Sequence, residues 1–459
     1  MSMRPFALSY LFVVAASALG IAALLALGAQ HYPATAAAAP HEDPVLAGTT
    51  PLARLLLQIV VVLVAARVLG TLFRRLGQPA VIGEIVAGLV LGPSLLGWLW
   101  PSASALLFAP ASLAPLGLLS QLGVLVFMFL VGLDLDLGAI RDKARTAVVV
   151  SHTSIFVPFA LGVGLTLFAY PQLAAPGVPF QALALFMGIA MSVTAFPVLA
   201  RILEERGLLQ TAIGRSVIAC AAIDDVSAWC LLALVVALAN AGDLAGAALT
   251  ALLTAAFVLV MLRAVRPGLA HWAHRRQARG DDALHISVVL VILLLAATAT
   301  ELIGIHALFG AFLAGVAMPA AGAFRAAVRE RLHAFATIVL LPLFFALSGL
   351  RTQLGLIDGA ADWALCGAII AIAVAGKLGG SYVAARLTGA SREDAFAIGA
   401  LMNTRGLMEL IVLNLGYDLG ILSPRVFTMM VLMALVTTLM TGPLLSFGQR
   451  RLAGLARPA

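Results

Sequence analysis

The chain is 459 residues long, 62% hydrophobic and 11% charged, with a mean hydropathy of +1.08. Soluble domains are nearer half apolar and a quarter charged, which excludes a soluble globular protein of ordinary composition. The formal net charge of +7 does not imply a nucleic-acid partner, because basic residues collect in the cytoplasmic loops of any polytopic membrane protein.

In chain order, an apolar stretch at 6–28 comes first, with Arg4 ahead of it and the small-residue tract QHYPATAAAAPHEDP behind it. Residues 1–30 therefore read either as a cleaved signal peptide or as an extra transmembrane helix, and 31–51 as a periplasmic linker. Thirteen apolar runs follow, at 52–72, 79–98, 115–135, 146–169, 180–203, 211–240, 244–264, 284–303, 305–323, 332–350, 362–385, 394–416 and 424–447. Runs of about 20 residues cross a hydrocarbon core of roughly 30 Å as α-helices. The expected fold class is an all-α polytopic membrane protein with about thirteen transmembrane helices over 52–447 and a short cytoplasmic tail at 448–459.

Lysine and arginine placement orients the runs. If the 52–72 helix starts outside, the inner loops hold clusters such as Arg74 and Arg75, Arg141 to Arg145, Arg275 to Arg279, and Arg325 to Arg331. The outer loops hold only Arg54, Arg351 and Arg425. This bias puts the C-terminus inside, and the expected location is a bacterial-type inner membrane. Cys220, Cys230 and Cys366 all fall within apolar runs and give neither a disulfide framework nor a CxxC pattern.

Few ionisable groups lie within the spans: Glu84, Asp224, Asp225, Lys377, Arg405 and Glu409, with Glu301 near an outer end and His152 and His306 besides. Each intramembrane charge costs at least about 2.5–3.5 kcal/mol and needs a partner or a use. In CAAIDDVSAWCLLALVV, Asp224 lies about 13 residues into its helix, roughly 20 Å along it and near the midplane. Two carboxylates there can be a neutralised packing pair. They can equally titrate as a unit that holds a proton or a cation, each displacing the other. Lys377, one of two lysines in the chain, is expected as their counter-charge and could itself carry a proton. Arg405 and Glu409, spaced i, i+4, can neutralise each other. Glu84 sits near a cytoplasmic end and reads as structural or functional; His306 and His152 read as packing residues or pH sensors.

Two spans look interrupted. Pro197 follows Thr194 in MSVTAFPVLARILEE, and Asn403, Thr404, Arg405 and Gly406 break ALMNTRGLMELIVLNLG. Irregular backbone at membrane depth occurs where it is buried or lines a cavity. The first span runs out-to-in and the second in-to-out, one in each half, which is the pattern of an inverted-repeat transporter with a midplane site. Half-helix ends would then supply carbonyl and threonine oxygens to a cation, with Asp224, Asp225 and Thr194 as ligands.

Six stretches in order, RRLGQPAVIGEIVAGLVLGPSLLG, LVFMFLVGLDLDL, SVTAFPVLARILEERGLL, AAIDDVSAW, GIHALFGAFLAG and LMNTRGLMELIVLNLG, resemble signatures of the monovalent cation:proton antiporter-2 family over roughly 52–447. The resemblance implies a homodimer with a mobile core and a dimerisation domain, in which two unwound helices cross beside the acidic site. It implies Asp225 as the cation- and proton-binding acid, Asp224 and Lys377 as the partners found in electrogenic members, and Thr194 with Asn403–Gly406 as the crossover segments. Kef-type members carry a nucleotide-binding regulatory domain, and no nucleotide fingerprint occurs in this sequence. The expected activity is exchange of protons for Na⁺ or K⁺, electrogenic, with no enzymatic chemistry, organic cofactor, nucleotide or nucleic acid, and with membrane lipid as surroundings. A cation channel and a transport-inactive membrane sensor are the alternatives.

Overall fold

A backbone in hydrocarbon must satisfy its own polar groups, and helices do so within one segment. The structure is a computed structural model that describes residues 51–109, 112–134, 144–195, 211–240, 244–276, 282–319 and 322–455, with positions 23, 198–199, 202–203 and 208 besides. Among the described residues there is no strand. The expected signal or extra helix and the linker after it lie outside them, apart from residues 23 and 51, as does Pro197.

The helices of eight residues or more among the described residues begin with α1 (Pro51–Arg75), α2 (Ala80–Leu91), α3 (Leu113–Asp134), α4 (Ala144–Leu173), α5 (Phe180–Ser192), α6 (Ala212–Asn240), α7 (Leu244–Val260), α8 (Arg266–Arg276) and α9 (Asp282–Ile303). There follow α10 (Ala307–Val316), α11 (Gly322–Phe335), α12 (Leu341–Leu350), α13 (Gly359–Val374), α14 (Gly380–Leu387), α15 (Arg392–Met402), α16 (Leu407–Asp418) and α17 (Pro424–Leu455). Single π turns at Met261–Val265, Ala336–Leu340 and Ala375–Gly379 join α7 to α8, α11 to α12 and α13 to α14. The last helix continues to Leu455, past the expected start of the tail at 448.

Among the described residues ten stretches are long and apolar enough to cross a membrane. They match ten of the thirteen expected spans; 180–203, 305–323 and 394–416 do not form continuous helices. In the first, α5 stops at Ser192 and Val193 is extended. In the second, Gly304 and His306 both take positive φ, and only the ten residues of α10 follow as helix. In the third, Gly406 holds φ 151° and ψ −119°, a backbone state open essentially to glycine, and it divides α15 from α16.

Two bundles result. One packs α4, α5, α6, the α13–α14 rod, α15 and α17 together; the other packs α1, α2, α3, α9, α10 and α12. In the second bundle backbones meet through glycine. A Cβ on Gly132 would collide with Phe312 O, one on Gly315 with Phe129 O, and Gly88 and Gly349 stand in the same relation across α2 and α12. Small residues at such crossings let helices approach where no hydrophobic drive exists between them. Helix α16 lies at the seam, against α5 and α17 on one side and α12 on the other. Leu52, Leu56, Val60, Val64, Val68 and Leu72 form an exposed apolar stripe along α1, suited to lipid.

Candidate functional site

Helix α6 carries Asp224 and Asp225 on adjacent positions, which diverge by about 100° around the axis. Both are buried, and their surroundings differ. Asp224 Oδ1 accepts from Ser154 Oγ of α4 at 2.6 Å, and Oδ2 from Lys377 Nζ at 3.2 Å. Lys377 sits in the π turn between α13 and α14, and its ammonium also donates to Ser192 O, the last carbonyl of α5. Neither oxygen of Asp225 has a hydrogen-bonding partner among the described residues, although the side chain is 3% exposed.

The crossing of the two broken helices explains the other buried charges. A helix C-terminus leaves its last four carbonyls without helical donors and carries partial negative charge. At the end of α5, Arg405 Nη1 donates to Ala190 O at 2.9 Å and Arg405 Nη2 to Met191 O at 2.5 Å, while Lys377 takes Ser192 O. Arg405 also binds Glu409 Oε2 at 2.5 Å across the first turn of α16. The extended segments touch directly: Ala195 N donates to Thr404 O at 3.1 Å, and Thr194 Oγ1 lies 3.5 Å from Met402 O. Thr438 of α17 closes the break by donating to Arg405 O at 2.7 Å.

Thus Asp224, Asp225, Lys377, Thr194, Asn403, Thr404, Arg405, Gly406 and Glu409 gather in one region of the first bundle. The last three carbonyls of α5, at a half-helix end of the kind expected to serve a cation, are occupied by Arg405 and Lys377. The Asn403 side chain is buried with neither amide atom partnered among the described residues. Glu84 and His306 line two separate cavities. Glu84 shares one of about 420 Å³ with Arg67, Arg74 and His333, and His306 shares one of about 360 Å³ with Glu301 and Asp418. His306 also caps α10, its Nδ1 accepting from Leu308 N at 3.3 Å. Ser154 and Thr438 escaped sequence reasoning. Ser154 stands in SHTS beside His152, a polar cluster in an apolar helix, and that cluster was the available signal.

Among the described residues, the five buried charged side chains sum to two cations and three carboxylates. Lys377 with Asp224 and Arg405 with Glu409 account for four. Asp225 is left over, buried and without a hydrogen-bonding partner among the described residues, and a bare buried carboxylate is strongly disfavoured.

A polytopic helical bundle with two interrupted helices crossing beside an unpaired buried acid defines a membrane protein built to handle small cations. The comparisons are specific. The family described as "Sodium/hydrogen exchanger, transmembrane" matches residues 59–447, and the chain belongs to it. It is an integral membrane protein. The chain is 43% identical over 400 residues to "Na(+)/H(+) antiporter NhaS4" of Synechocystis, covering 86% of this chain and 97% of that protein. It is 43% identical to "Cation/H(+) antiporter 17" of Arabidopsis thaliana over 85% of this chain, which spans 48% of the plant protein's length. "K(+)/H(+) antiporter 1" of Saccharomyces cerevisiae is 33% identical over 86% of this chain and 46% of its own. The solved sodium proton antiporter MjNhaP1 of Methanocaldococcus jannaschii shares the fold, with a TM-score of 0.60 at 13% identity over 87% of this chain and 99% of that one.

Proposed function

We propose that this chain is a secondary active transporter that exchanges protons for Na⁺ or K⁺ by alternating access at Asp224 and Asp225. The observation that carries the reading is Asp225: it is buried, lacks a hydrogen-bonding partner among the described residues, and remains after the other charges pair. A carboxylate so placed holds either a proton or a partly dehydrated cation, and each occupant expels the other. Asn403 and Thr194 contribute neutral oxygens near the crossing. The first bundle then carries the site past the second, with Arg405 and Lys377 keeping the broken end of α5 intact.

Lys377 adds a second proton. When the cation draws on Asp224 as well, the ammonium loses its partner and gives up its proton, so two protons leave for one cation. Exchange is therefore electrogenic. The protein works as a homodimer in a bacterial inner membrane, with the α17 end in the cytoplasm. Which of the two ions it carries is read by the same experiment that tests the activity.

Proteoliposomes loaded with acid and a pH-quenched dye receive NaCl or KCl. Cation-driven alkalinisation that is lost in Asp225→Asn supports the reading, and the more effective salt names the ion. Current without proton countermovement would mean a channel, and no flux from folded, inserted protein would mean a membrane protein that does not transport. Either result overturns the proposal.

A further inference from the structure

Helix α16 is one half of an interrupted span, and nothing helical couples it to α15, because Asn403–Gly406 intervene. Its first turn is tied to the first bundle through Glu409 and Arg405, whose guanidinium binds Ala190 O and Met191 O of α5. Its far end is held by the second bundle. Arg351, just past the C-terminus of α12, donates from Nη1 to Asn414 Oδ1 at 2.8 Å and pairs with Asp418 Oδ1 at 2.8 Å. Its guanidinium lies 5.1 Å from the centre of the Tyr417 ring. Asn414 returns the contact by donating to Ser348 Oγ of α12 at 2.7 Å, and both residues are buried. Gln121 of α3 reaches Asp418 Oδ2 at 3.4 Å. One turn of α16 is thus gripped from α12 on its Asn414, Tyr417 and Asp418 face.

This grip crosses the seam between bundles, and at the same seam lies the cavity of about 360 Å³ lined by Val124, His306 and Phe344 on one wall and Ile411, Asn414 and Asp418 on the other. A planar guanidinium that engages an amide, a carboxylate and an aromatic face fixes direction as well as distance. The buried Asn414–Ser348 bond favours one register of α16 on α12, since sliding by one turn would break it together with the Arg351 contacts. The contact is made in this conformation, and an interface that moves has to break it.

We propose that Arg351 is a positioning residue for exchange: its grip on Asn414 and Asp418 seats α16 against α12 in this conformation and opens whenever the first bundle moves past the second. The inference rests on the alternating-access reading above.

The test uses Arg351→Cys with Asp418→Cys in a chain whose Cys220, Cys230 and Cys366 are serine, reconstituted as the full protein. Exchange is read by the dye before and after bridging with a short bis-methanethiosulfonate, then after dithiothreitol. The expected result is exchange in the reduced protein, a fall on bridging to less than about a tenth, and recovery on reduction, as for an interface that must open. Bridged protein exchanging at the reduced rate would overturn the proposal. If wild-type protein shows no exchange, the transporter reading fails instead.

Where the reduced cysteine pair is inactive beside an active wild type, Arg351→Gln, Asp418→Asn and their double variant decide. Equal several-fold shifts in apparent cation KM for both singles and the double, with folded protein, support one shared contact. Additive shifts, or none, overturn it.

Discussion

Where α5 crosses the α15–α16 break, an ammonium, a guanidinium, hydroxyls and bare carbonyls meet within hydrogen-bonding distance; where α3 crosses α10 and α2 crosses α12, glycine backbones touch instead. The glycine crossings have a single close-packed arrangement, and any added atom disrupts it. The polar crossing is a set of hydrogen-bonded partners beside which one acid, Asp225, has none among the described residues. Rigidity and chemistry are thereby divided between two bundles of one chain, with α16 shared at the seam.

Four substitutions break or sharpen that division. The largest functional effect is expected from Asp225→Asn, which keeps shape and burial but cannot trade a proton for a cation; exchange falls below detection while yield and thermal stability hold. Arg405→Ala strands Glu409 and the carbonyls of Ala190 and Met191. Removing one partner of a buried pair costs about 3–5 kcal/mol, so this variant loses thermal stability in detergent as well as exchange. Gly315→Val forces a side chain into the α3 backbone and costs about 1–3 kcal/mol or more of stability, with no intrinsic effect on the ion site in whatever protein folds. Ser154→Ala removes the 2.6 Å bond to Asp224. A hydrogen bond to a charged group is worth about 1.5 kcal/mol, read here as roughly a tenfold change in apparent cation KM with unchanged melting. A Gly315→Val protein that melted normally, or an Asp225→Asn protein that failed to fold, would contradict the division of roles.

Much of this was legible because the bilayer is a strict solvent. Apolar runs located ten continuous spans, and the MNTRG stretch announced a break that Gly406 completes with a backbone state few other residues adopt. Charges in apolar runs picked out all five members of the buried set. What stayed hidden depends on three-dimensional neighbours. No spacing rule says that Lys377 meets Asp224 and leaves Asp225 alone, since that depends on which face of α6 turns toward α13–α14. The π turn at Ala375–Gly379, which carries Lys377, has no sequence signature. The carbonyls at the end of α5 look available as cation ligands in the sequence, yet Arg405 and Lys377 occupy them. Arg351 looks like an ordinary loop arginine until α12 and α16 are placed side by side.

The central claim is that one buried acid holds a proton or a cation and never both. Its most direct measurement mixes NaCl or KCl with purified protein in weakly buffered solution and follows proton release with a pH indicator, for wild type and Asp225→Asn. The account predicts saturable release of protons on cation binding by the wild type and none from the variant. Cation binding without proton release, or equal release from Asp225→Asn, would contradict it.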